Sequence, residues 1–156
     1  MSLFNSPSNR QLNAGLMLLR LVVGAIFVMH GGQKLFVFGF SGVAGAFAQM
    51  GIPMASVLGP FVAFVEFFGG LALIFGLLSR LAAFGIASTM VVAIFQVHLK
   101  NGFSAPTGFE FPLSLLGSTV MLAITGAGNW SFDSLVGGKA KVSQPDVQPA
   151  SLRRAA

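Results

Sequence analysis

Glu66 lies at the centre of Val57 to Leu78, an apolar run long enough to cross a bilayer and otherwise free of charge. A carboxylate at the middle of a membrane helix costs roughly 2.5–3.5 kcal/mol on insertion scales, so it needs a partner and an interior to face. Arg20 stands within another apolar run, Ala14 to Phe36, which ends with His30 and Lys34 one helical turn apart. Such groups can handle a proton, bind an anion or hydrogen-bond the carbonyl of a quinone. Glu66 and Arg20 are therefore the candidates for proton or charge handling, and His30, Lys34, Gln96 and Glu110 the candidates for holding a ligand. Structural roles stand beside these. Arg20 and Glu66 can simply neutralise each other, Lys34 can snorkel to the headgroups, and Glu110, just before Pro112, can offset the dipole at a helix start. His98 is expected to point at the headgroups, because it falls opposite the polar stripe of its helix if that helix stays regular.

Other chemistries lack residues. The chain has no cysteine, which removes thiolate catalysis, disulfide exchange and Cys-ligated iron–sulfur clusters. Its two histidines show neither H-x-x-E nor H-E-x-x-H spacing and are oriented too differently for paired haem ligation, so no metal or haem is expected. No Gly-rich phosphate loop is present. A net charge of +5 would point to nucleic acid in a soluble protein. Here the basic residues flank apolar runs, where they set topology, and no nucleic-acid partner is expected.

The elements that position the polar groups are set by composition. The chain of 156 residues is 54% hydrophobic and only 8% charged. Soluble domains carry about 25% charged residues, so this chain cannot cover a water-facing surface. Four runs of spanning length or close to it stand out: Ala14–Phe36, Val57–Leu78, Leu81–Leu99 and Phe111–Ala127. Between the first two, Ser41 can cap a short interfacial helix whose Val43, Phe47 and Met50 share a face, ended by Gly51 and Pro53. The expected fold is all-α: an integral membrane four-helix transmembrane bundle with a short interfacial helix between spans one and two. Residues 1–13 form a cytoplasmic N-terminal segment, 14–133 the four-span membrane domain, and 134–156 a disordered, basic cytoplasmic tail.

Each span carries one stripe of small and polar residues, which should converge on the bundle axis because lipid-facing surfaces are apolar and small residues let helices approach. The stripes are Arg20, Gly24, Phe27, Gly31 and Lys34; Gly59, Val62, Glu66, Gly70 and Leu73; Ala82, Gly85, Thr89, Ala93 and Gln96; and Glu110, Ser114, Ser118, Met121 and Thr125. Arg20 lies about 21 Å below Lys34 on this register, and an outward-reaching Arg20 is expected to contact Glu66. With four spans, Arg10, Arg80, Lys139, Lys141, Arg153 and Arg154 fall on one side and Lys34 and Lys100 on the other. Both termini are then cytoplasmic in a multi-pass protein of a bacterial inner membrane.

These motifs resemble the DoxX family of small four-helix bacterial membrane proteins. The resemblance is carried by Arg20-x-x-x-Gly24-x-x-Phe27-x-x-His30-Gly31-x-x-Lys34-Leu35, by Glu66-x-x-Gly69-Gly70-x-x-Leu73-x-x-Gly76-Leu77-x-x-Arg80, by Gly102-Phe103 with Gly108-x-Glu110, and by Gly126-x-Gly128-x-x-Ser131-x-Asp133. It covers about Leu16 to Asp133. The family takes its name from a subunit associated with a terminal quinol oxidase, and relatives are described as thiosulfate:quinone oxidoreductase components. The resemblance thus implies a quinone-associated component of a membrane oxidoreductase system. It does not establish catalysis by this chain alone. A non-catalytic assembly subunit and a small transport module are the alternatives. The expected partners are the bilayer, other oxidoreductase subunits and further copies of the chain.

Overall fold

The computed structural model describes residues 7–104 and 106–137, and among them the secondary structure is helical throughout. Helix α1 (Asn9–Gly32) passes through a π-helical turn, Gln33–Phe38, into α2 (Gly39–Gln49). Then come α3 (Ala55–Phe75), α4 (Ser79–Ala93) with a π turn Ile94–His98 and a short 3-10 segment Leu99–Asn101, α5 (Glu110–Thr125) and α6 (Phe132–Val136). Three stretches are long and apolar enough to cross a membrane: Asn9–Gln49, Ala55–Phe75 and Ser79–Asn101. At 16 residues α5 is about 24 Å long, short of a full hydrocarbon core. It nevertheless runs beside most of α4. Its start adjoins the loop bonded to His98, and Gly126 just after its end lies against Arg80.

Helix extends beyond the apolar runs at both ends of the described residues. Ser8 caps α1 reciprocally with Gln11: the Ser8 hydroxyl accepts from the Gln11 N–H at 3.3 Å, and Gln11 Oε1 accepts from the Ser8 N–H at 2.8 Å. Helix therefore begins inside the segment read as an N-terminal lead. At the other end α6 is helical within the segment read as a disordered tail from 134. The remainder of that tail, 138–156, lies outside the described residues.

Helices α1 and α3 meet at bare backbone. A Cβ on Gly24 would come within 2.7 Å of the Gly70 carbonyl, one on Gly70 within 2.7 Å of the Val28 nitrogen, and one on Gly31 would collide with the Phe67 backbone. Small residues at these three positions permit the approach that dispersion requires where no hydrophobic force drives helices together. Val23, Phe27, Leu73, Ile86, Met90, Leu115 and Leu122 fill the core between the four long helices. Helix α2 leans on the first half of α3, with Val43 buried against Gly59 and the Phe40 and Phe64 rings 5.6 Å apart.

The axis-facing stripes hold for α1 and α3, where Arg20, Gly24, Phe27, Gly31, Gly59, Glu66, Gly70 and Leu73 are buried. The α5 stripe does not. Its buried face is Pro112, Leu115, Thr119 and Leu122, while Ser114, Met121 and Thr125 are exposed. The hydroxyls of Ser114, Ser118 and Thr125 each donate to the carbonyl one turn back, at 2.9, 2.8 and 2.8 Å. A hydroxyl satisfied by its own helix presents no bare donor and can face lipid, leaving the larger leucines to fill the core.

Candidate functional site

Two clusters of polar groups lie toward opposite ends of the bundle, around Glu66 and around Arg20. At the end where α3 begins and α4 finishes, Lys34 Nζ forms a salt bridge and hydrogen bond with Glu66 Oε2, their side chains 22% and 5% exposed. Lys34 comes from the π turn after α1, one turn beyond Gly31, where the glycine lets α1 close on α3 and so brings the two side chains together. A cavity of about 290 Å³ opens beside the pair. Apart from Lys34 and Glu66, its polar lining is His30, Thr89 and His98, and the wall is otherwise largely apolar, with Phe27, Met90 and Leu115 at its base. Phe47 and Met50 of the α2 region close one side. The Thr89 hydroxyl donates to the Ile86 carbonyl at 2.7 Å, so it enters the wall already bonded.

His98 differs from its expected place. The π turn inserts one residue into the helical winding, which rotates the residues beyond it by about 100° relative to a regular α-helix. His98 is carried onto the cavity wall, and Gln96, expected on the inward stripe, is exposed and off the wall. Glu110 also lies outside the lining. It opens α5, its N–H donating to the Phe103 carbonyl at 2.9 Å, where a carboxylate offsets the helix dipole. Of the six sequence candidates, the cavity unites His30, Lys34 and Glu66.

Arg20 stands at the opposite end. It is 2% exposed and donates through Nη2 to the Trp130 carbonyl at 2.7 Å, while Nε and Nη1 make no hydrogen bond among the described residues. The expected contact with Glu66 is not formed: Arg20 packs against Gly76, about 15 Å along α3 from Glu66, and Glu66 takes Lys34 instead. Asp133 completes this end. Its two carboxylate oxygens accept from the N–H groups of Leu78 and Ser79 at 2.7 and 2.9 Å and so cap α4. The Asp133 N–H in turn donates to the Gly76 carbonyl at 2.8 Å. This cluster fastens the segment after α5 to the α3–α4 turn. Nothing in the spacing of Asp133 announces that role, because its targets are some 55 residues away in sequence.

Among the described residues no group of three or more His, Asp or Glu side chains is arranged to hold a metal ion. The polar wall presents donors and a carboxylate within an otherwise apolar cavity.

The DoxX family model matches residues 15–99. The chain is 33% identical over 82% of its length to a Bacillus subtilis protein named putative oxidoreductase CatD, covering 91% of that protein. It is 31% identical over 81% of its length to the inner membrane protein YqjF of Escherichia coli, covering 95% of it. An uncharacterised membrane protein of Mycobacterium tuberculosis is 33% identical over 74% of the chain and 77% of its own length. No solved structure matches. With its helical bundle, glycine-lined α1–α3 contact and apolar spans, the chain belongs to the DoxX family of membrane proteins.

Proposed function

We propose that this protein is a quinone-associated component of a membrane oxidoreductase system, and that the cavity beside Lys34 and Glu66 receives the quinone head group. The observation that carries the reading is the cavity itself: about 290 Å³, mostly apolar, with Lys34, Glu66, His30 and His98 on its wall. That chemistry fits the group, since a ligand pocket is usually apolar with a few convergent polar groups, and a dry cavity of about 150 Å³ already accepts benzene. A bound quinone supplies two-electron, two-proton redox chemistry. Lys34 Nζ can donate only, Glu66 offers a carboxylate oxygen to hold a proton, and their pairing keeps the site neutral while either exchanges hydrogen bonds. The apolar wall excludes water and strengthens those bonds. The oxidoreductase name carried by the Bacillus relative agrees with this role.

Glu66→Gln keeps the shape and removes the titrating group. Quinone-dependent electron transfer in membranes carrying this variant, at matched protein levels, is expected to fall at least about tenfold or to lose its pH dependence. Unchanged transfer would favour a second reading, a non-catalytic assembly subunit, for which the completed Lys34–Glu66 pair is the supporting observation.

The cavity is assigned to the outer half of an inner membrane and both termini to the cytoplasm. Arg10 precedes the Arg20 end and Arg80 lies at it, whereas Lys34 and Lys100 lie at the other. Reporters fused after Gly137 should signal the cytoplasm and reporters placed in 101–109 the outside; the reverse pattern would invert the assignment.

A further inference from the structure

The Nδ1 of His98 lies 2.8 Å from the carbonyl oxygen of Thr107, in the loop between α4 and α5. A carbonyl can only accept, so Nδ1 bears the hydrogen, and the neutral imidazole is left with a lone pair on Nε2. The same carbonyl accepts from Asn101 Nδ2 at 3.2 Å, and that amide also donates to the Val97 carbonyl at 3.3 Å. The oxygen that sets the tautomer is thus held from two sides. Meanwhile the π turn Ile94–His98 places His98 on the cavity wall.

Among the other polar groups of that wall, Lys34 can only donate and occupies Glu66 Oε2, and the Thr89 hydrogen is engaged with Ile86. His30 and the second oxygen of Glu66 are further acceptors; His98 differs from them in that a backbone carbonyl fixes its tautomer. We propose that His98 is a specificity residue of the cavity: its Nε2 accepts a hydrogen bond from a hydroxyl on the bound ring, so the cavity selects hydroxyl-bearing aromatic rings over the same rings with that hydroxyl blocked. The proposal rests on the reading of the cavity as a ring-binding site. Thr107 acts through His98 as a positioning residue, because it fixes which nitrogen is free. A ring whose hydroxyl is blocked gives Nε2 no donor and so binds more weakly than its hydroxyl-bearing counterpart, which among quinones favours the reduced form.

The test uses the full chain in detergent. With two histidines in the sequence, ¹⁵N-histidine labelling gives two pairs of ring-nitrogen resonances, which the His30→Gln variant assigns. In alkaline buffer that keeps imidazoles neutral, His98 is expected as the Nδ1–H tautomer. Adding 4-hexylphenol should move its Nε2 resonance, whereas 4-hexylanisole should not, and the phenol should bind roughly tenfold tighter. His98→Asn, whose amide can still donate to Thr107 but lacks the second nitrogen, should bring the two affinities together. An Nε2–H tautomer, or equal affinities in the unaltered protein, overturns the proposal. If quinone is still retained in the cavity under that outcome, only the selectivity falls; if neither ring nor quinone binds there, the ring-binding reading falls with it.

Discussion

Lys34→Met is expected to destabilise the purified protein by about 3 kcal/mol, and pairing it with Glu66→Gln to recover much of that loss. Removing one member of a buried ion pair leaves the other charge uncompensated, which typically costs ~3–5 kcal/mol. The lower figure applies because the Lys34 side chain keeps 22% of its exposure while Glu66 keeps 5%. The interaction should appear as non-additivity in a double-mutant cycle, read from unfolding in one detergent. The matching cycle between Arg20 and Glu66 is expected to be additive, since the two share no contact. Additivity for Lys34 and Glu66, or coupling between Arg20 and Glu66, would reverse the pairing.

Gly76→Ala should be damaging at the other end, by about 2–4 kcal/mol in the same unfolding assay. Gly76 has φ +69°, which any Cβ disfavours, and it closes α3 where the chain reverses into α4. Its Cβ would also overlap Nη1 of Arg20 and sit 2.5 Å from Ser131 Cβ. The guanidinium has no room to retreat, because it is 2% exposed and tied to the Trp130 carbonyl. An alanine variant with unchanged stability and yield would show that Arg20 is not packed against this turn.

The two ends differ in how far they can be read from the sequence. Glu66 and Lys34 are legible because ionisable groups in apolar runs are costly and a regular helical register already turns them inward, with His30 on the flank of the same stripe. The glycines of α1 and α3 emerge from the same register. His98 and Gln96 change places because a π turn shifts the phase by one residue, and no propensity marks where such a turn forms. The α5 stripe misleads for a different reason: Ser114, Ser118 and Thr125 satisfy themselves on their own helix, so their polarity does not report the core. The Ser8–Gln11 capping box is readable, and it starts α1 before the apolar run does. Arg20 is recognisable as buried, but its partner is a backbone carbonyl far along the chain, a group that carries no residue-type signal.

The most direct measurement is the quinone retained by protein purified in mild detergent, quantified by extraction and mass spectrometry against a cavity-filled variant. Ala93 lines the cavity and is only half-buried, so Ala93→Phe places a ring where the head group is proposed to sit while sparing the Lys34–Glu66 pair. The unaltered protein should carry quinone at a substantial fraction of one per chain, and the equally stable Ala93→Phe protein should carry only what co-purifying lipid brings. Equal quinone in both, tracking lipid content alone, would contradict the assignment of this cavity to a quinone.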